Sequence, residues 1–322
     1  NNSVAVQAGA TLNNVDIVEA NGYYGLWING NGQTVEVKDG SITATNGGRG
    51  IKIADEYIDN PAQVALSVEG TVFTTAKKAA VLVSSKAGAN ITANNVNIEN
   101  VAEDKVNFVW VDEDWAQYFD QVEVTGATAR PEGGEGSFAA AIYVDGAVQS
   151  YFKTFAKALE TVANGQTITL IKDVAENVTI KQVVGKNITI DGNSKTYTGT
   201  ITVQGDGTPN ADNKETLTFK NINFDITGAK YAITSVKGTY VRNITVENCT
   251  FKGENSYGIR VRNGYNYTLK NVTVDGFYSF FNASESLSGL TVENVTVTNT
   301  GSAFNFSYGT GIASLKNVNV DV

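Results

Sequence analysis

The sequence predicts an all-β solenoid made of two tandem modules of stacked parallel strands. Three observations carry that reading. A short phrase returns at near-constant spacing with Asn at its centre, as in ITVENCTFKG, YTLKNVTVDG and LTVENVTVTNTG. On each side of that Asn, apolar and polar residues alternate with period two, the pattern of a half-buried strand. When the phrases are aligned, whole columns keep one residue character, which in-register stacking demands.

The aligned residues are Asn221, Asn248, Asn271, Asn294 and Asn317, at spacings of 27, 23, 23 and 23 residues. Internal periods of roughly 20–50 residues mark repeat architectures. Before Asn294, Leu290 and Val292 are apolar around Thr291; after it, Val295 and Val297 are apolar around Thr296. The alternation slips by one residue at the Asn. Such a slip turns side chains outward unless the chain bends there, so the Asn is read as a corner between two short strands. Asn tolerates the left-handed backbone of a sharp corner better than other residues except Gly. Stacked corners are expected to form a buried ladder of side-chain amides.

Two neighbouring columns agree. The residue before the corner reads Lys220, Glu247, Lys270, Glu293, Lys316, and two residues earlier stand Thr218, Thr245, Thr268, Thr291, Ser314. Strict alternation of charge is what strands about 4.8 Å apart favour. It also argues against an ice-binding face, which would need a wide flat Thr-x-Thr array. The first half carries the phrase more loosely, with Asn14, Asp39, Gly70, Asn95 and Gln121 at the corner; Gln121 suits it poorly and is read as the end of that stack. A second strand recurs in each coil: YGLWI, RGIKI, AAVLV and NFVWV, then YAITSV, YGIRVR, YSFFNA and SAFNFS. Each coil therefore holds about three strands.

The modules are placed at residues 1–127 and 138–322, joined by a Gly/Glu/Pro linker over 128–137. Within 139–165, Phe152, Phe155, Ala156, Leu159 and Val162 fall on one helical stripe, and Asn164-Gly165 supplies a stop. A helix near 151–163 is expected to cap the second solenoid, whose first coil would otherwise expose strand backbone. Both termini lie in phase with the repeat. The stack is therefore expected to continue into further modules of the same polypeptide or into end-to-end stacking chains.

Composition narrows the chemistry. The 322 residues include no His and one Cys, which removes the commonest general base, an intrachain disulfide and CxxC metal sites. Residues 1–127 carry 16 acidic and 7 basic side chains; residues 138–322 carry 15 and 16. Neither half has the basic excess of a nucleic-acid binder. No run of about 18 apolar residues exists to span a membrane. Cys249 aligns with Val272, Val295 and Val318, a core position. Many Asn-x-Ser/Thr sequons occur, such as Asn177, Asn187, Asn243 and Asn271; several are corner residues of the repeat, and the repeat chemistry explains them better than glycosylation.

Short coils with Asn at a corner resemble the right-handed parallel β-helices of the pectin lyase-like superfamily. The stretch YFKTFAKALETVANGQTITLIKDVAENVTI with KNITIDGNSKTYTG is similar to modules in large surface or secreted proteins of gut bacteria. Those modules have a short helix before GDTITLLKDV-like and ITIDGNGKTLTG-like strands; Gln166 stands here for the usual Asp and Ser194 for the usual Gly. The resemblance implies a right-handed β-helix and an extracellular or cell-surface setting. It leaves the activity open, because the superfamily mixes lyases, hydrolases and non-catalytic surface proteins.

Two clusters are candidate sites. The first lies in VAEDKVNFVWVDEDWAQYFDQVEV, where Glu103, Asp104, Asp112, Glu113, Asp114, Asp120 and Glu123 interleave with Trp110, Trp115, Tyr118 and Phe119. Carboxylates on adjacent coils are what Ca²⁺ prefers, so Asp112, Glu113 and Asp114 are metal candidates. The competing reading, a solvated acidic rim over the last coil of the first module, is favoured. The second joins Arg242, Arg260 and Arg262 with Tyr240, Tyr257, Tyr265, Tyr267 and Tyr278. Arg beside aromatic rings can hold a glycan; tyrosines stacking between coils on an exposed strand is the plainer alternative. The expected function is a non-catalytic, rigid stalk or adhesin-like segment of a bacterial surface protein, contacting a glycan or a host or neighbour-cell protein. It needs no cofactor beyond possible Ca²⁺. The rival is a polysaccharide-active enzyme, a lyase before a hydrolase, which would need several carboxylates converging beside Arg or Lys.

Overall fold

The computed structural model describes residues 4–44, 48–75, 79–99, 107–131, 136, 138–205, 215–228, 230–307 and 310–321. The chain forms two compact units, Asn1–Ser137 with Gln149–Tyr151, and Phe138–Val148 with Phe152–Val322. Each is a parallel β-solenoid. Among the described residues no helix is long and apolar enough to cross a membrane.

In the first unit the coils contribute strands to three sheets of six, five and four strands. The six-stranded sheet runs through Tyr24–Asn29, Arg49–Ala54 and Val81–Ser84 in parallel register, Leu26 against Ile51 against Val81. These side chains are fully buried; each contributes about 1.5–3 kcal/mol relative to an exposed position. Where sheets meet, the interior is too tight for a side chain: a Cβ on Gly50 would sit 2.6 Å from the Ala80 carbonyl oxygen and from the Phe73 ring. Residues 128–131, read above as the start of the linker, instead form strand Thr128–Pro131, which pairs with Asn107–Val111 as the sixth strand of that sheet. Of the remaining linker, residues 132–135 and 137 lie outside the described residues.

The second unit begins with the expected cap. Strand Ala140–Val144 runs antiparallel to Thr167–Leu170, after which the pairings along the stack are parallel. Helix Phe155–Thr161 starts at Thr154, whose hydroxyl accepts from Lys157 N. The Glu176 carboxylate takes two more free N–H groups, those of Phe155 and Ala156, at 2.8 and 2.9 Å. Phe155 and Ala158 are buried while Ala156 is exposed, so the stripe is rotated from the one expected. The helix is shorter than the 151–163 span, and Phe152 belongs to the preceding strand. Phe155 meets Tyr197 edge-on, and the aromatic column continues through Phe224 to Phe251, rings stacked at 4.5 Å.

The corners are as read. Asn14, Asp39, Asn95, Asn221, Asn248, Asn271, Asn294 and Asn317 have φ between 49° and 55°, and Gly70 has φ 61°. Gln121 does not belong among them: it ends a 3-10 segment, Glu113–Gln121, and the next strand Val122–Thr125 pairs Val122 with Ala89. The charge column pairs in the register anticipated and gains Asp191 at its start, 3.2 Å from Lys220. The hydroxyl column Thr218, Thr245, Thr268, Thr291, Ser314 is also in register.

The amide ladder exists but is exposed rather than buried. Asn271 donates to Asn248 at 2.9 Å, Asn294 to Asn271 at 3.0 Å and Asn317 to Asn294 at 3.0 Å, all on the surface. Asn221 donates to Asp191 at 3.0 Å. The reason is the phase slip itself. Leu290, Val292, Val295 and Val297 all point inward, so the two residues between, Glu293 and Asn294, must both point out.

At Asn271 the corner geometry and the ladder contribute separately. Asn271→Ala places a Cβ-bearing residue without a compensating side-chain bond in the left-handed region and should cost about 1–3 kcal/mol. Asn271→Gly keeps the backbone and loses only exposed bonds, so it should cost less than about 1 kcal/mol. Urea unfolding of the two variants checks the ordering.

Candidate functional site

The second unit's six-stranded sheet passes through Tyr231–Ser235, Tyr257–Val261 and Ser279–Ala283. Tyr231 pairs with Tyr257 and Tyr257 with Ser279; Thr234, Arg260, Asn282 and Asn305 form the next outward column. Ala232 next to the first column and Ile233, Ile259 and Phe281 next to the second are buried, so Tyr231, Thr234 and Arg260 face out, while Ser279 is 8% exposed. Tyr231 and Tyr257 stack with ring centroids 4.8 Å apart. The Tyr278 ring lies 5.9 Å further on, and its hydroxyl donates to Asn255 at 3.0 Å. The Arg260 guanidinium sits 5.3 Å from the centre of the Tyr231 ring and 3.4 Å from its hydroxyl oxygen. No carboxylate of the described residues pairs with it. Ser279 Oγ, Asn282 Oδ1 and Arg262 Nε are buried atoms without hydrogen-bond partners. This face therefore combines an aromatic ladder, a cation and unmet polar groups.

The structure divides the eight Arg and Tyr residues singled out above. Tyr257, Arg260 and Tyr278 converge, with Arg262 beside them, its N–H bonded to Ser235 Oγ at 2.8 Å. Tyr240 and Tyr265 lie on the other sheet, where the Tyr240 hydroxyl meets Ser288 at 2.9 Å. Tyr267 is 1% exposed, packs edge-on to Phe281, and has its hydroxyl pKa pushed up by burial alone. Arg242 is 2% exposed and paired with Glu215, while its N–H donates to Gln182 Oε1 at 2.7 Å. Tyr231, Ser279 and Asn282 were missed. Tyr231 had a visible signal, since YAITSV aligns with YGIRVR. The third coil hid Ser279 and Asn282 because YSFFNA is displaced by one residue, with Ser279, not Tyr278, opposite Tyr257.

The acidic cluster is a cap on a turn. Asp112 begins the 3-10 segment; one of its oxygens accepts from Asp114 N at 3.1 Å and the other from Ser84 Oγ at 2.8 Å. Glu113, Asp114 and Asp120 point to solvent. Trp110 is buried, its ring under the Arg130 guanidinium at 4.3 Å. Glu103 and Asp104 lie outside the described residues. Among the described residues no three Asp, Glu or Cys side chains are grouped as metal ligands. Cys249 is buried in the Val272 column, and desolvation pushes its thiol pKa up to about 12. Comparisons with family models, curated proteins and solved structures return no match to the chain.

These placements separate structural from available arginines. Arg242→Ala strands Glu215 and should cost about 2–4 kcal/mol. Arg260→Ala should change stability by less than about 1 kcal/mol. Thermal unfolding of both variants gives the contrast. Glu215 is held below the ordinary carboxylate range, first by the Gly185 N–H at 2.6 Å and by its own backbone, with Arg242 adding to them. A lowered folded-state pKa means stabilisation that is present above the unfolded value and lost as pH falls through the folded one. Glu215→Gln should therefore flatten the acid limb of the stability profile.

Proposed function

We propose that this chain is a non-catalytic segment of an extracellular bacterial surface protein. Its solenoid units serve as stiff, adhesin-like modules, and the Tyr231–Tyr257–Tyr278 ladder with Arg260 is its contact face for a glycan or a surface protein. The observation that carries the reading is the state of that face. Arg260 lacks a carboxylate partner among the described residues, and the buried Asn282 Oδ1, in register with Arg260, and Ser279 Oγ, in register with Tyr257, stand without partners. A cation and buried polar atoms left unmet are groups that an incoming ligand satisfies. Aromatic faces supply stacking area at low conformational cost. Several carboxylates have structural uses: Glu176 caps a helix, Asp112 caps a turn, Asp55 ties a loop and Glu215 holds Arg242. The extracellular setting rests on the resemblance of the cap and first coils to modules of gut-bacterial surface proteins.

The test is a glycan array run in parallel with an assay for unsaturated sugar products. Binding without product release is expected, and the double variant Arg260→Ala/Arg262→Ala should lower affinity by about tenfold or more while keeping its melting temperature. Release of unsaturated products, or binding indifferent to both arginines, would remove the reading.

A further inference from the structure

A second face, in the first unit, has features that packing alone does not explain. In strand Tyr24–Asn29, Leu26 and Ile28 are fully buried, so Trp27 and Asn29 project from the outer side of the sheet. The indole Nε1 of Trp27 and the amide Oδ1 of Asn29 are nonetheless buried atoms, covered by their surroundings, and neither has a hydrogen-bond partner. One is a donor and the other an acceptor, and they belong to residues i and i+2 of one strand, whose Cα atoms lie about 7 Å apart. Beside them stands Tyr57, 78% exposed, edge-on to the Trp27 ring with centroids 6.1 Å apart.

Tyr57 is not on a loose loop. It follows Asp55, which is 6% exposed and accepts from Lys86 N at 2.6 Å and Ser85 Oγ at 3.3 Å; Ile58 N closes the turn on the Asp55 carbonyl at 3.1 Å. The turn thus holds a large aromatic ring in water, at a right angle to a tryptophan, over an unmet donor and acceptor. Local charge is already balanced: Lys52 pairs with Glu56 at 2.6 Å, and its ammonium lies 5.0 Å from the centre of the Tyr24 ring. The first 127 residues also carry 16 acidic against 7 basic side chains, a surplus that disfavours anionic ligands.

We propose that the Trp27–Tyr57 corner is a binding subsite for an uncharged sugar unit of a neutral polysaccharide or glycan. The apolar face of a pyranose stacks on an aromatic ring. Its rim hydroxyls, each both donor and acceptor, meet the Trp27 N–H, the Asn29 carbonyl and the Glu56 carboxylate. The exposed Tyr57 ring, which meets Trp27 edge-on, swings about its side-chain torsion to admit the ligand to the indole edge. A protein surface would need apolar area around the ring, whereas the exposed residues beside Tyr57 in the turn include Glu56 and Asp59. The subsite uses residues of the first unit alone, so it stands or falls independently of the Arg260 face.

The full chain is applied to an array of short neutral oligosaccharides of hexose and pentose units, and binders are titrated by calorimetry. At least one neutral oligosaccharide is expected to bind. Tyr57→Ala, an exposed position that leaves the melting temperature in place, should weaken it by about tenfold. Asn29→Ala should weaken it by about threefold, and Arg260→Ala should leave it unchanged. Binding to none of the neutral chains, binding only to charged ones, or affinity that survives Tyr57→Ala would each overturn the proposal. So would neutral-sugar affinity that disappears with Arg260→Ala, which would assign the sugar to the other face.

Discussion

A left-handed corner residue at the same place in successive coils is the constraint on which the rest depends. A strand shows its apolar side chains to one face only while its alternation is unbroken, yet a solenoid must turn the chain and keep those side chains inside. A single residue with φ near 50° does both, placing two consecutive side chains outward while the strands on either side point their valines into the core. Everything repeated around it is a consequence. The backbone returns to the same height, each strand finds its counterpart one coil on, and like positions pair with like.

The two units meet the same demand with different residues. In the second, successive Asn side chains reach from rung to rung on the surface. In the first, the corner passes through Asn14, Asp39, Gly70 and Asn95, and the glycine has a specific cause. A Cβ at Gly70 would lie 2.5 Å from the Asp39 carboxylate, which occupies the space above it. Asp39 therefore dictates what can follow it in the column, as the Asn residues do elsewhere by bonding. Once corners and interior are set, the outward columns are free to differ: hydroxyls on one sheet, Tyr and Arg on another, Trp beside Lys on a third. The recognition chemistry proposed for both units draws on those columns, with Tyr57 and Tyr278 added from the turns beside the strands.

The repeat, the corners, the charge column and the cap were legible because each is a short-range pattern that stacking amplifies into a column. The exposure of the amide ladder was not, although the phase slip contains it: two consecutive non-alternating residues must both face out. Gln121 was misplaced because a 3-10 segment interrupts the coil after Asp112 and shifts the next strand. The Arg and Tyr cluster was legible only in part. Tyr267 and Tyr257 are ten residues apart and look alike in sequence, yet one lies on an inward position and the other on an outward one. Arg242 looks like its two neighbours in the list of basic residues, but its partner, Glu215, is distant in sequence and lies one coil away. Trp27 comes from a strand and Tyr57 from the loop after the neighbouring strand of the same sheet, Arg49–Ala54, one coil on, so only the fold brings them together.

The column Asp191, Lys220, Glu247, Lys270, Glu293, Lys316 has a consequence for how such a chain avoids errors. Near-identical coils invite mis-stacking, because a coil left out of the stack still offers its neighbour a strand of the right pattern. Here an omission sets Lys against Lys or Glu against Glu at the joint. Opposite signs return only when two coils are left out, which requires a much longer loop to close. Each exposed pair is worth only a fraction of a kcal/mol, on the order of 0.5, yet the column acts as a parity check. Any single-coil mistake changes attraction into repulsion, while the interior, lined by apolar side chains throughout, would accept it.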